Sequence, residues 1–271
     1  MTKIGIIAGG GKLPIIIGNS LLKAKYEVIY FCVENNCNYQ FYKNYNYKII
    51  SINSIKKIIN ILKNNNISKI IMAGNVKRPS IKDIKFDFNT LSLIKYLALE
   101  KKGDNKLLTS ISKLFKEKGF IIFDWKKHCK DIFAREKYLT SKTPSNSAIS
   151  NKDKGLEVFK YIGRVDIAQS LIIQNSNVLG IEATEGTDEL IKRCFKYKKR
   201  GDKGVLIKLA KYNQNSILDI PVIGFKTVKN ILKYQYEGIF LEKNKCIIID
   251  KKKVLDFCNI NKIFIATIDK N

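Results

Sequence analysis

Lys3-Ile-Gly-Ile-Ile-Ala-Gly-Gly-Gly-Lys-Leu-Pro14 is the stretch that decides the fold of the first half of the chain. Residues 3–8 form a near-continuous apolar run, which predicts a buried β-strand. Glycines follow, and Pro14 suits the first turn of a helix that we predict from Pro14 to about Lys25. A strand, a glycine turn and a helix N-terminus together place free backbone N–H groups where an anion can bind.

This stretch does not complete a known nucleotide-binding fingerprint. The dinucleotide pattern GxGxxG would need glycine where Pro14 stands, and a Walker A loop would need Gly-Lys-Ser/Thr after a longer loop. An NAD-binding interpretation would use Glu34, after the second predicted strand, and the proline argues against it. These residues leave open whether the glycine turn binds an anion or is only structural.

The strand-and-helix pattern repeats through the first half of the chain. Further strands are predicted at Glu27–Val33, Lys69–Ala73 and Phe120–Phe123, with helices at Ile55–Asn64, Thr90–Glu100 and Lys106–Lys118. This alternation indicates a parallel sheet, with ligands beyond the carboxyl ends of the strands. Gly74 falls at that edge, so Lys77 and Arg78 are placed for an anion, although a solvated loop is an equal alternative. An alternative role for Asp104 is simply to cap the next helix.

A second informative segment is Gly180-Ile-Glu-Ala-Thr-Glu-Gly-Thr-Asp188, which spaces Glu182, Glu185 and Asp188 three residues apart. One interpretation is a strand, then a helix from Asp188 to Lys199 that Thr187 caps. The other is a site for a cation or an oriented water. Two of the carboxylates precede the helix, and carboxylates bind hard divalent cations.

The rest of the second half adds strands, helices and one unusual acid. Asn175-Ser176-Asn177 predicts a hairpin turn between strands at Leu171–Ile173 and Val178–Ile181, and a further strand is predicted at Gly204–Leu209. Asp219 stands in an apolar frame, where burying a carboxylate costs free energy unless a cation or hydrogen bonds compensate it. Asp219 therefore either closes a turn or is functional.

Hydrophobic periodicity disappears in the polar Ser/Asn-rich stretch from Lys137 to Lys154, which predicts a linker. We therefore predict an N-terminal parallel-sheet domain at residues 1–133, a linker at 134–153 and a separate C-terminal α/β domain at 154–271. A helix from about Gly155 to Ile162 should open the second domain.

The 271 residues carry a formal charge of +26. Almost all of the excess is lysine, spread over the whole sequence, whereas a phosphate track would cluster and favour arginine. We therefore expect no nucleic-acid partner, but an anionic substrate or membrane surface. No run is long enough to cross a bilayer and the start lacks a signal-peptide pattern, so we expect a soluble, non-exported protein.

The titratable side chains exclude several kinds of site. The six cysteines form no CxxC pair, which predicts reduced and mostly buried thiols. His128 is the single histidine, and we predict that it lies on the surface. A Ser-His-Asp triad is therefore excluded.

Six blocks occur in order along essentially the whole chain: Ile7–Pro14, Ala73–Pro79, Lys102–Asp104, Ile162–Ile167, Glu182–Asp188 and Asp219–Gly224. Together they resemble the LpxI-type UDP-2,3-diacylglucosamine pyrophosphatases of lipid A biosynthesis. The resemblance implies a Rossmann-like N-terminal domain, a separate C-terminal domain and a lipid product held between them. It also implies a cytoplasmic Mg²⁺-dependent enzyme, peripheral at the inner face of the inner membrane. The expected reaction is water attack on the α-phosphorus of UDP-2,3-diacylglucosamine, giving UMP and 2,3-diacylglucosamine 1-phosphate.

The family's catalytic aspartate corresponds to Asp219. We expect Asp219, Glu185 and Asp188 to bind Mg²⁺ and position water, and Lys208 to offset charge on the diphosphate. The predicted substrate-binding residues are Gly10, Gly11, Lys12, Leu13, Gly74, Asn75, Lys77, Arg78, Asp104, Gln169, Glu182, Gly186 and Thr187. A homodimer is a further expectation.

The sequence departs from the family pattern at Ala168, where the family has glycine, and at Ala210 and Tyr212, in a segment that is proline-rich in the family. These departures put the local loop geometry in doubt but remove no charged group. The alternatives are a non-catalytic module that binds a nucleotide sugar or lipid, and an NAD(P)-dependent oxidoreductase. Intact acidic blocks argue against the first, and Pro14 argues against the second.

Overall fold

The computed structural model of the protein describes residues 1–76, 104–162, 168–211 and 220–269. The chain divides into two compact units, Met1–Lys130 and Asp131–Asn271. Each unit carries its own sheet with helices packed on it. The predicted fold class, two successive α/β domains of which the first is built on a parallel sheet, is confirmed.

The first unit is a Rossmann-like α/β layer structure. Its sheet has the order β3-β2-β1-β4-β5, and every pair of neighbours is parallel. The strands are β1 (Lys3–Ala8), β2 (Glu27–Val33), β3 (Tyr47–Ile50), β4 (Lys69–Ala73) and β5 (Ile121–Ile122); the helices are α1 (Leu13–Lys23), α2 (Ile55–Asn64) and α3 (Asp104–Glu117), with 3₁₀ turns at Tyr39–Tyr42 and Lys126–His128.

Hydrophobic periodicity explains how this sheet is covered. Helix α2 buries Ile55, Ile58, Ile59 and Leu62, a single face of the helix, against the apolar side chains of β2 and β4. Ser54 caps this helix, its hydroxyl oxygen accepting from the N–H of Lys57 at 3.4 Å. The two glycine loops follow the carboxyl ends of β1 and β4 and lie at that edge of the sheet.

The second unit contains a mixed sheet of order β12-β10-β8-β6-β7, in which β12, β10 and β8 are parallel and β8, β6 and β7 antiparallel. The elements are a 3₁₀ turn (Lys130–Ile132) at the junction of the units, α4 (Asn146–Ile162), β6 (Ser170–Gln174), β7 (Asn177–Ile181), α5 (Thr187–Phe195), β8 (Val205–Lys208), β9 (Val222–Ile223), α6 (Phe225–Lys233), β10 (Gly238–Glu242), β11 (Ile247–Ile248), α7 (Lys251–Ile260) and β12 (Phe264–Ile268); β9 and β11 form a small parallel pair.

Alternation along the strands gives this sheet two buried faces. In β8, Leu206 packs with α5, α6 and α7, while Val205 and Ile207 pack with α4. Successive side chains of a strand point to opposite faces, so helices on both sides bury the whole strand. The second unit is therefore a three-layer α/β/α structure.

The predicted hairpin turn between β6 and β7 is confirmed. Asn175 and Ser176 both have positive φ, 49° and 57°. Two successive residues in the left-handed region form the tight connection that antiparallel strands prefer.

The polar stretch predicted as a linker, residues 134–153, is packed onto the second unit. Leu139 donates its N–H to the carbonyl of Ile265 at 2.9 Å. Ser145 donates from its N–H and its hydroxyl to the two carboxylate oxygens of Glu237, at 3.0 and 2.8 Å. Helix α4 begins at Asn146, earlier than the predicted Gly155. The polar side chains that suggest a linker serve as caps and hydrogen-bond partners here.

Candidate active site

The carboxyl end of β8 carries a buried polar cluster, here called the lysine cluster: Ser170, Glu182, Thr187 and Lys208. Lys208 is the last residue of β8, and Ser170 opens β6 directly opposite it in the antiparallel ladder. Glu182 follows β7, and Thr187 opens α5. Sheet topology thus brings four chain segments to one edge.

The Lys208 ammonium has a complete set of partners. Its Nζ donates to the Thr187 hydroxyl at 2.7 Å, to the Ser170 hydroxyl at 3.0 Å and to Glu182 Oε2 at 3.4 Å. The residue is only 3% exposed. A charge this deeply buried needs a paired carboxylate and a hydrogen bond for each proton, and the lysine cluster supplies both.

Thr187 belongs to the lysine cluster rather than capping its helix. Gly186, at φ 80°, is the N-cap residue of α5, so the prediction of a Thr187 cap is wrong. The Thr187 hydroxyl gives its proton to Glu182 Oε1 at 3.0 Å and accepts from Lys208. Its contact with Ser170, at 3.4 Å, must therefore use the Ser170 proton. The Ser170 and Thr187 hydroxyls thus link the Lys208 ammonium to the Glu182 carboxylate.

The other two predicted acids have separate partners. Glu185 accepts from Arg193 Nε at 2.9 Å and from the N–H of Ala183 at 3.1 Å. Asp188 accepts from the Thr227 hydroxyl at 3.0 Å and lies 3.4 Å from Lys226 Nζ. Burial raises the pKa of Glu185, but backbone N–H groups and Arg193 outweigh it and hold the pKa below its usual value.

The Glu185→Gln variant should lose an acid-sensitive part of its stability. A lowered pKa in the folded state contributes stability that is present above the unfolded pKa of about 4.3 and is lost as the pH falls through the folded pKa. We expect a loss under about 1 kcal/mol at pH 7, because the pair is partly exposed, and no loss in strong acid. Urea unfolding of both proteins from pH 7 to pH 2 measures this. A difference that stays constant with pH would contradict it.

The described residues do not by themselves form the predicted Mg²⁺ site. Within the four described ranges, no group of three His, Cys, Asp or Glu side chains could hold a metal ion. Glu185 and Asp188 are each held by a cation of the chain, which competes with a metal for the carboxylate oxygens. The third predicted ligand, Asp219, lies outside the described residues.

Sequence reasoning missed two polar residues at this edge. Ser170 gives no local signal, because its link to Lys208 comes from long-range strand pairing. Glu242 ends β10, is 2% exposed and accepts the N–H of Ala210 at 2.8 Å, while Lys245 lies 2.6 Å from it. Its position after an apolar strand, in the frame Phe-Leu-Glu, is the signal that could have found it.

In the first unit the two glycine loops are joined to each other. Gly10 donates its N–H to the carbonyl of Asn75 at 2.7 Å, and Asn75 donates back at 3.0 Å. Gly74, at φ 90°, faces Gly9 so closely that a side chain at either position would strike backbone. The backbone N–H groups of Gly10 and Asn75 are therefore already used in hydrogen bonds, and the substrate-binding role of these two residues stays a prediction.

Other parts of the glycine turn stay available for the predicted role. An added Cβ at Gly11 would meet no atom within 4 Å, so that side of the turn is open. Lys12 and Leu13 lead into α1 there. Lys77 and Arg78 lie outside the described residues, and Asp104 is the first residue of α3.

Two smaller predictions have clear outcomes. The six cysteines are free thiols and all except Cys37 are buried, as predicted. His128 is half-buried rather than a surface residue, since its ring stacks on Phe123 at 5.9 Å and meets Tyr26 at 5.3 Å.

Of the departures from the family pattern, Ala168 is buried beside Gln169, whose carbonyl accepts from Leu209 at 2.8 Å, and Tyr212 lies outside the described residues.

Comparison with known proteins matches both units. The model of the LpxI N-terminal domain matches residues 3–132, and that of the LpxI C-terminal domain matches residues 135–266. The chain belongs to the LpxI family. It is also similar to the UDP-2,3-diacylglucosamine pyrophosphatase LpxI of Caulobacter vibrioides, with 26% identity covering 99% of this chain and 98% of the relative.

Membership in the LpxI family places the lysine cluster within the C-terminal domain of that family. The glycine loops lie within the N-terminal domain. None of the helices in the described part of the chain is long and apolar enough to cross a bilayer.

Proposed function

We propose that the chain hydrolyses UDP-2,3-diacylglucosamine to UMP and 2,3-diacylglucosamine 1-phosphate, a step of lipid A biosynthesis. The observation that carries the proposal is the match of both domains to LpxI, together with a relative of that name aligned over nearly the full length. In the proposed reaction, a water oxygen bonds to the α-phosphorus, and the bond from that phosphorus to the bridging oxygen breaks. The sugar phosphate leaves with the bridging oxygen.

In the proposed mechanism, Asp219 and Lys208 of the second unit have different roles. Asp219 orients the attacking water and accepts its proton, in the role that the resemblance implies. Lys208, which the sequence predicted to offset charge on the diphosphate, has a partner in the lysine cluster for each of its protons, and its role in the proposal is instead to hold Thr187 and Glu182 in fixed positions. A preorganised polar edge of this kind needs little rearrangement when charge develops on the phosphoryl oxygens.

Mg²⁺ remains part of the proposal, and Asp219 would hold it together with the substrate phosphates. Magnesium in phosphoryl-transfer sites is often bound through one or two carboxylates plus substrate phosphates, so it does not require a preformed group of three. When bound, it would neutralise charge on the diphosphate. Lys12, Leu13 and the open side of Gly11 are proposed to contact the nucleotide or phosphate.

The remaining elements of the proposal concern location and assembly. A cytoplasmic protein peripheral to the inner face of the inner membrane suits a membrane-lipid substrate. Its positive charge of +26 would attract the protein to an anionic leaflet. A homodimer is proposed without a specific interface.

The reaction is tested by incubating the purified protein with UDP-2,3-diacylglucosamine in ¹⁸O-labelled water, with Mg²⁺ or with EDTA. We expect UMP release with Mg²⁺, little with EDTA, and the label in UMP. Label in the lipid phosphate would overturn attack at the α-phosphorus. Tight binding of the lipid without release would favour a binding module and overturn the enzyme, and cofactor-dependent absorbance changes would favour an oxidoreductase.

A further inference from the structure

The end of β2 carries two cysteines beside the glycine turn of the first unit. Cys32 lies in β2, pairs with Ala8 of β1 in the parallel ladder and is fully buried. Cys37 follows the strand and is half-buried. Its Sγ donates to the carbonyl of Ala8 at 2.8 Å and lies 3.3 Å from the carbonyl of Gly9.

A tight turn folds Cys37 back towards Cys32, since Ala8, the ladder partner of Cys32, accepts from Cys37 Sγ at 2.8 Å. Asn36 and Cys37 both donate their N–H groups to the carbonyl of Val33, at 3.1 and 3.2 Å, which folds the chain back over the end of β2. A hydrogen bond from Cys32 lowers the pKa of Cys37, although burial raises it. Cys32, the donor in that bond, has its pKa raised.

The other described thiols lack these properties. Cys129, Cys194, Cys246 and Cys258 are buried, the last three within one hydrophobic cluster. Burial raises the pKa of Cys194, and raises those of Cys246 and Cys258 to about 12. A reactive cysteine needs thiolate character, access and, for reversible oxidation, a resolving partner. Cys37 differs from these four thiols because it is only half-buried and its pKa is lowered, and Cys32 lies close enough to serve as its resolving partner.

We propose that Cys32 and Cys37 are a redox-sensitive modification site, which forms a reversible disulfide when the protein meets a peroxide. Cys37 first releases to solvent the Sγ proton that it otherwise donates to Ala8. The resulting thiolate attacks one peroxide oxygen and the O–O bond breaks, leaving a sulfenic acid and hydroxide, which takes up a proton to become water. The Cys32 thiol then attacks Sγ of Cys37. The S–S bond forms, and the sulfenic oxygen leaves as a second water with the Cys32 proton. Two thiols are oxidised and one peroxide is reduced.

Disulfide formation should change the glycine turn, because the loop that follows β2 and contains Asn36 and Cys37 contacts this turn. A disulfide sulfur has no proton, so Cys37 could no longer donate to Ala8 and Gly9. The loop also packs on Gly10, where an added Cβ would lie 2.9 Å from the carbonyl of Asn36. The next expectation rests on the proposed function. Oxidation should weaken substrate binding and raise KM roughly fivefold, which is the effect expected for losing one native hydrogen bond.

The disulfide is tested without any activity measurement. The full-length protein is treated with hydrogen peroxide, unfolded, alkylated and analysed by intact mass and peptide mapping. We expect the loss of two hydrogen atoms and protection of Cys32 and Cys37, reversed by dithiothreitol. Cys258→Ser, the matched control, should still form the disulfide, and Cys37→Ser should not. Full alkylation of both cysteines after peroxide, or accumulation of sulfinic acid at Cys37, would overturn the proposal.

The link to function is tested separately by UMP release. Oxidised protein should show the raised KM, and Cys37→Ser should be insensitive to peroxide. A disulfide with unchanged KM would overturn the coupling to the glycine turn. If the reduced protein releases no UMP, the proposed function is overturned instead. The mass measurement would still show whether the disulfide forms.

Discussion

Lys208→Met is expected to lower the free energy of unfolding by about 3–5 kcal/mol, because it leaves a carboxylate without its cation. The Glu182 side chain is 13% exposed and has Lys208 as its ion-pair partner at 3.4 Å. Methionine keeps most of the length and apolar volume of lysine, so the loss would come from the charge rather than from a cavity. The Ser170 and Thr187 hydroxyls would also lose a donor.

Urea unfolding followed by circular dichroism measures this loss. The matched control is Lys226→Met, because Lys226 also pairs with an acid at 3.4 Å but is 77% exposed. A pair that exposed should contribute at most about 1 kcal/mol. The double variant Glu182→Gln, Lys208→Met should recover part of the stability. Equal, small losses for the two lysine variants would show that the lysine cluster is not the buried ion pair described above.

Asp219→Ala is expected to lower the rate of UMP release by about 10³-fold, which corresponds to about 4 kcal/mol of transition-state stabilisation. In the proposed mechanism Asp219 orients the attacking water, so its removal should affect the transition state far more than the bound substrate. The dissociation constant for the UDP-lipid should therefore stay within a few-fold of the wild-type value. Asp219→Asn should resemble the alanine variant, since an amide cannot accept the proton.

A surface carboxylate serves as the comparison for Asp219. Asp256 lies on α7 and is exposed, so Asp256→Ala should turn over at the wild-type rate. Both variants are assayed for UMP release and for lipid binding. A wild-type rate in Asp219→Ala would defeat the assigned role, and equal losses in both variants would point to a nonspecific effect of removing negative charge.

Much of the first unit follows directly from its sequence. The strands β1, β2 and β4 and the helix α2 have the predicted bounds, because each is a strong apolar pattern ended by glycine or polar residues. Strand β3 was not predicted, since its Tyr-Lys-Ile-Ile is short and half-exposed at the sheet edge. Local patterns identify buried elements better than edge strands.

The arrangement of the candidate site was harder to predict. Even spacing of Glu182, Glu185 and Asp188 suggests one carboxylate group, yet each acid has a different cation as its partner, Lys208, Arg193 and Lys226. Those partners come from three elements, and two of them, β8 with Lys208 and α6 with Lys226, are distant in sequence from the acids. Sequence spacing fixes where an acid lies along the chain but not which long-range neighbour the fold brings to it.

Analysis of the products of a single reaction shows whether the protein hydrolyses UDP-2,3-diacylglucosamine. Wild-type protein is mixed with UDP-2,3-diacylglucosamine and Mg²⁺, and UMP and 2,3-diacylglucosamine 1-phosphate are quantified by mass spectrometry over time. The account predicts that both products appear together in equal amounts, over many turnovers per protein molecule. Substrate that is recovered intact from the folded, lipid-bound protein would contradict it.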